Sequence, residues 1–171
     1  MGKTDLVQFT IDLRDYSKSL NSPPRKVSLA RRQKIADIVQ QGIHNDIMVP
    51  VNLSGLLQCS RAQPNGEGRL CVEYRSLNAI TRVSSYPLLR TEQALECLYG
   101  KTFYSTFDLS NAFWQIKTHP SPRKFLAFIT SDGLYEWPRM PFGNSGAPVT
   151  QQRMIDMLLE ALSGYASSLW N

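Results

Sequence analysis

Asp108 is the side chain in this sequence whose position most demands a chemical explanation. It lies near the end of 102–109, where Phe103, Ser105, Phe107 and Leu109 alternate with Thr102, Tyr104, Thr106 and Asp108. That period of two predicts a strand. A carboxylate in a strand otherwise rich in aromatic and β-branched residues needs a polar partner, a metal ion or solvent. Two chemistries follow: an edge aspartate that caps the next turn, or an oxygen ligand for a hard divalent cation such as Mg²⁺, which takes carboxylates together with phosphates. Arg69 begins a second alternating run, in which Leu70, Val72 and Tyr74 face one side and Arg69, Cys71, Glu73 and Arg75 the other. Its guanidinium is a donor fork that suits phosphate oxygens; the alternative is a solvated cation paired with Glu67 or Glu73.

Other reactive side chains point nowhere in particular. His44 and His119 have no Cys or His partner at metal-binding spacing, and no serine sits in a nucleophile-elbow pattern, which sets hydrolase chemistry aside. The three cysteines, Cys59, Cys71 and Cys97, are an odd number without metal spacing and read as reduced thiols of an intracellular protein. Asn52-Leu53-Ser54 is a glycosylation sequon by form only, since nothing at the N-terminus resembles a secretory signal.

The elements that must hold these residues mix helix and strand without a βαβ rhythm, which predicts an α+β fold. Residues 1–26 read as an extended lead-in, because Ser22-Pro23-Pro24 forbids helix. A helix is predicted from Ser28 to about Gln41, with Ile35, Ile38 and Val39 on one face and Gly42 as its stop. Residues 58–68 are rich in Gly, Pro, Asn and Gln and predict a loop. A short helix over 91–100 would bury Ala94, Leu95 and Leu98, and another from near Pro148 would present Met154, Met157, Leu158 and Ala161. Residues 125–130 and 134–137 flank Ser131-Asp132-Gly133, a hairpin signal.

Composition narrows the partner class. Of the 171 residues 42% are hydrophobic and 19% charged, as expected of a globular chain, and no apolar run is long enough to span a membrane. Nineteen Lys and Arg against fourteen Asp and Glu give a net charge of +5, a mild bias toward polyanionic partners.

Five short segments in order carry a resemblance. Phe107-Asp108-Leu109-Ser110-Asn111-Ala112-Phe113-Trp114-Gln115-Ile116 resembles the first catalytic motif of reverse transcriptases of gypsy-like LTR retrotransposons and retroviruses. Arg69-Leu70-Cys71-Val72-Glu73-Tyr74-Arg75-Ser76-Leu77-Asn78 is similar to the family's fingers strand, and Tyr86-Pro87-Leu88 to the segment leading into the palm. Lys124-Phe125-Leu126-Ala127-Phe128 with Gly133-Leu134-Tyr135-Glu136-Trp137, then Met140-Pro141-Phe142-Gly143, resemble the hairpin and the nucleotide-pocket turn.

The resemblance implies a right-hand polymerase fragment, fingers and partial palm over 27–171, whose parent activity is RNA-directed DNA synthesis by two-metal phosphoryl transfer. It implies that Asp108 and the backbone carbonyl of Leu109 bind metal, two Mg²⁺ ions being expected in the complete enzyme. It places Arg69, Ala112, Phe113, Phe142 and Gly143 at the nucleotide, with Phe113 as a bulky ring that rejects a 2′-hydroxyl. Arg75, Asn78 and Gln151 would meet the template. Read without the resemblance, Phe113 is a core aromatic. The implied partners are an RNA or DNA template–primer, deoxynucleoside triphosphates and the rest of a Pol polyprotein: remaining palm, thumb, RNase H and integrase.

Some positions depart from the family pattern. No Asp-Asp pair occurs in the sequence, although the family completes its site with one in a Tyr-x-Asp-Asp hairpin. Arg61-Ala62-Gln63-Pro64-Asn65-Gly66-Glu67-Gly68 stands where a Lys-rich fingertip is usual, and Phe142-Gly143-Asn144-Ser145-Gly146-Ala147-Pro148 replaces Phe-Gly-Leu-x-Asn-Ala-Pro. The expectation is a chain inactive by itself; the alternative is a non-catalytic module that binds nucleic acid or docks on an intact polymerase.

Overall fold

Long-range backbone pairing decides where strands form in this protein, more than local alternation does. The computed structural model describes residues 2–15, 28–51, 60–64 (backbone), 70–87, 96, 98–100 and 102–160. In chain order the elements are β1 (Thr4–Phe9), β2 (Asp12–Leu13), α1 (Leu29–His44), β3 (Val49–Pro50), β4 (Ser60–Pro64), β5 (Leu70–Glu73), α2 (Arg75–Ile80) and β6 (Thr81–Arg82). They continue with α3 (Ala112–Gln115), β7 (Ile116–Thr118), α4 (Pro120–Leu126), β8 (Phe128–Ile129), β9 (Leu134–Glu136) and α5 (Ala147–Leu159). Helices and antiparallel-rich sheets are interleaved, so the fold is α+β.

The largest sheet has five strands in the order β3-β9-β8-β4-β5. Its hairpin pairs Phe128 with Tyr135 and Ile129 with Leu134. Inside the turn, the Thr130 amide donates to the Gly133 carbonyl at 2.9 Å and the Asp132 amide donates to Thr130 Oγ1 at 3.1 Å. β4 runs parallel to β8 and antiparallel to β5, pairing Arg61 with Glu73 and Pro64 with Leu70. Two small sheets take in the N-terminal segment: β1 lies parallel to β7, and β2 antiparallel to β6.

The core sits where these sheets meet the helices. Phe9, Ile116, Leu126, Phe128 and Met140 are completely buried, and Met154 of α5 packs into the same cluster. Phe128, on the first hairpin arm, lies 5.7 Å from the Tyr135 ring and 5.1 Å from Trp137, so the second arm covers it. Tyr74, at the start of α2, donates its buried hydroxyl to the Leu126 carbonyl at 2.8 Å, joining α2 to the end of α4. That bond satisfies one of the carbonyls a helix C-terminus leaves unpaired.

Several expectations are corrected. The first helix continues to His44, and Gly42 is inside it and buried. A Cβ at Gly42 would stand 2.7 Å from Met48 Sδ, so the glycine permits close packing and does not stop the helix. Residues 60–64, expected in a loop, form β4, because its neighbours supply hydrogen bonds that composition cannot reveal. Phe125 and Leu126, assigned to the hairpin's first arm, belong to α4, and α2 was not anticipated. Residues 102–109 are not a strand: no described strand pairs with them, and Phe103 and Phe107 are 92% and 90% exposed. Leu98, expected in the core, is 39% exposed, while Met157 and Leu158 are half-exposed on α5. Ala94, Leu95 and Ala161 lie outside the described residues.

Candidate nucleotide-pocket site

The sequence around α3 brings an aromatic pair together. Asn111 precedes the helix at φ 53°, a left-handed conformation that asparagine tolerates and that turns the chain sharply. The turn is tied by Gln115 Nε2 donating to the Ser110 carbonyl at 2.9 Å and by the Trp114 amide donating to Asn111 O at 3.0 Å. Its consequence is that Phe113 points into the core while Trp114 is only partly covered. Phe142, 43% exposed, lies with its ring centroid 4.9 Å from Phe113 and 5.4 Å edge-on from Trp114. Such tilted aromatic contacts are favourable, and they leave nearly half of Phe142 exposed.

Gly143, next along, has φ +87°, which L side chains rarely adopt. The turn is held from α2 by Asn78, whose Nδ2 donates to the Gly143 carbonyl at 2.9 Å. Asn78 Oδ1 accepts from the Ser145 amide at 3.0 Å. The structure therefore brings together Phe113, Phe142, Gly143 and Asn78, four of the residues singled out from the sequence.

Other sequence-derived candidates stand apart from that cluster. Asp108 is exposed on the extended 102–109 segment, with Leu109 beside it 40% exposed. A carboxylate and a backbone carbonyl are oxygen donors of the kind a hard divalent cation takes. They are too few for a complete metal site, and no cluster of three acid, His or Cys side chains exists among the described residues. Ala112 opens α3, partly covered. Arg75 is almost fully exposed and its Nε lies 2.6 Å from Glu73 Oε1, while Gln151 is partly exposed in the first turns of α5. Arg69 lies outside the described residues.

Sequence reasoning missed three polar groups. Asn144, 3% exposed, donates from Nδ2 toward Asn78 Oδ1 at 3.4 Å and accepts from the Gly146 amide at 2.9 Å. Asp156 on α5 accepts from Tyr86 Oη at 2.7 Å and from Gln152 Nε2 at 2.8 Å, and its carboxylate pushes the Tyr86 phenol above its ordinary range. Away from the pocket, Arg32 on α1 bonds Asp132 in the hairpin turn, Nε to Oδ1 at 2.7 Å, and holds that carboxyl below its ordinary range. None has a periodic signature; the displacement of asparagine from its usual place to 144 was the only visible trace.

Comparison with known proteins follows the same lines. Residues 62–169 match the family model described as reverse transcriptase (RNA-dependent DNA polymerase). The chain is 34% identical over 146 residues to the retrovirus-related Pol polyprotein from transposon opus of Drosophila melanogaster, covering 84% of this chain and 14% of that one. It is 29% identical over 152 residues to the enzymatic polyprotein of cauliflower mosaic virus (strain NY8153), covering 86% of this chain and 22% of that polyprotein. In fold it is similar to the foamy viral protease-reverse transcriptase solved in complex with RNA/DNA hybrid, with TM-score 0.76, 17% identity, and coverage of 95% of this chain and 22% of that one. The chain thus spans less than a quarter of the length of these relatives.

Proposed function

Because the chain belongs to the reverse transcriptase family, whose model matches more than half of it, we propose that it forms the fingers and partial palm of an RNA-directed DNA polymerase within a Pol-type polyprotein. Its substrates are deoxynucleoside triphosphates and a template–primer of RNA or DNA. The observation that carries this reading is the Phe113–Phe142 contact at 4.9 Å beside the φ +87° turn at Gly143. It makes an aromatic floor on which Phe142 is 43% exposed, beside an exposed glycine backbone in the left-handed conformation.

In this reading each residue has a distinct task. Phe113 lies beneath the sugar and excludes a 2′-hydroxyl by volume. Phe142 and the exposed Gly143 backbone take the nucleotide. Arg69 grips phosphate oxygens, and Arg75 and Gln151 reach the template. Asp108 and the Leu109 carbonyl hold a divalent cation, for which Mg²⁺ is proposed. When bound, a pair of such ions supplies charge stabilisation to the attacking and leaving oxygens of phosphoryl transfer. No Asp-Asp pair occurs in the 171 residues, so the remaining carboxylates must come from other sequence, and these residues by themselves do not polymerise.

Titrating the chain with a labelled RNA–DNA primer–template at increasing salt tests this reading. Binding at low salt that falls steeply as salt rises is expected, because cationic side chains displace counterions from phosphates. No binding at low salt contradicts it.

A further inference from the structure

We infer that Asn78 is a positioning residue for the nucleotide pocket, its carboxamide, paired with that of Asn144, setting where Phe142 lies over Phe113. The inference rests on the function proposed above and assigns Asn78 a task other than touching the template. The polar ties of the 142–146 turn converge on this side chain. Its Nδ2 donates to the Gly143 carbonyl at 2.9 Å, and its Oδ1 accepts from the Ser145 amide at 3.0 Å and lies 3.4 Å from Asn144 Nδ2. Asn144 completes the turn by accepting the Gly146 amide on Oδ1 at 2.9 Å and the Ala147 amide on its carbonyl at 3.1 Å.

The anchor is rigid and its partner is not self-sufficient. Asn78 stands on α2 between Leu77 and Ile80's buried side, 1% and 6% exposed, and its own amide donates to the Tyr74 carbonyl at 2.7 Å. The turn starts from a left-handed glycine, and the Ser145 hydroxyl is buried with no hydrogen-bond partner among the described residues. The bonds inside the turn serve the Gly146 and Ala147 amides, while the Gly143 carbonyl and the Ser145 amide pair outside it, with Asn78. The carboxamide puts its donor and its acceptor on separate atoms, one for the Gly143 carbonyl and one for the Ser145 amide. Aspartate keeps the acceptor but turns a second oxygen toward the Gly143 carbonyl; alanine loses both. Because Phe142 meets Phe113 and Trp114 at ring distances of 4.9 and 5.4 Å, a turn released from Asn78 carries that ring away from the floor.

The test uses the 171-residue chain with Asn78→Ala and, as a milder variant that keeps one bond, Asn78→Asp. Hydrogen exchange of the Ser145 amide is followed beside that of core amides in β7, and binding of dTTP with Mg²⁺ beside binding of the primer–template. The inference predicts exchange at Ser145 faster by about five- to tenfold in Asn78→Ala, the loss of one such bond, with Asn78→Asp retaining most of the Ser145 protection. Core exchange and primer–template affinity stay unchanged while dTTP affinity falls by a similar factor. Unchanged exchange at Ser145 overturns the inference. So does faster exchange with intact dTTP affinity, or a loss confined to the primer–template, which would mark Asn78 as a template contact. If both variants unfold the β7 amides together with Ser145, the role is structural only and the inference fails. Failure of the wild-type chain to bind dTTP contradicts the proposed function itself, and the unsubstituted control separates that outcome from the others.

Discussion

Phe113 has a core duty that the structure shows and a proposed one at the nucleotide sugar, and one substitution separates them. Its ring is 9% exposed and packs on Phe142, so Phe113→Val should lower stability by about 2 kcal/mol through lost burial. As a sugar gate, the same change should let ribonucleotides in, narrowing the deoxy-to-ribo ratio of kcat/KM in a polymerase carrying these residues; an unchanged ratio leaves Phe113 only its core role. Gly143→Ala meets ordinary contacts, with Val72 O 3.5 Å from the new Cβ, but the φ of +87° disfavours any side chain. A loss of about 1–2 kcal/mol in urea unfolding is expected. Asp132 gives a pH prediction. Arg32 lowers its folded pKa, so its contribution is present above the ordinary carboxylate value near 3.8 and is lost as pH falls through the lowered folded value. Asp132→Asn should therefore be less stable than wild type at pH 7 and equal to it at pH 2, as urea midpoints at the two pH values will show.

At the scale of elements, what the sequence disclosed and what it hid divide by range. The 131–133 turn, the apolar face of α1 at Ile35 and Val39, and the alternating β5 were legible because each is a local pattern. β4 was hidden: its Gly- and Pro-bounded residues read as loop, and its pairing with β5 and β8 is known only from the fold. The reverse error at 102–109 has the same origin, since alternation without a paired neighbour does not make a strand. In the site, Phe113, Phe142 and Gly143 were legible through motif order, but the part played by Asn78 was not. A side-chain amide that bonds a distant backbone leaves no periodicity. Tyr74 is a second such tie, and burial pushes its phenol well above the usual range, keeping it a donor. Tyr74→Phe should leave the Leu126 carbonyl without its 2.8 Å partner and cost about 1–2 kcal/mol; an unchanged unfolding free energy would show that the α2–α4 tie is not strong.

The whole molecule depends on its N-terminal strand more than its polar lead-in suggests. Phe9 is completely buried, and its carbonyl accepts the His119 amide at 2.9 Å, so β1 closes the core against β7 and the start of α4. Phe9→Ala should destabilise the whole fold by about 3–5 kcal/mol, read as one cooperative transition at lower denaturant; a separate early transition would mean that β1 docks independently. The net charge of +5 fits a polyanionic partner without specifying it. The central claim is that Asp108 is a carboxylate of a polymerase site completed by sequence outside these residues. Its most direct test is primer extension on an RNA template by a polymerase that contains these 171 residues and an Asp-Asp hairpin following them, compared with its Asp108→Asn variant. A loss of at least about a thousandfold, with primer–template binding retained, is the predicted result for removing a metal-binding carboxylate. Extension at an undiminished rate by Asp108→Asn would contradict it.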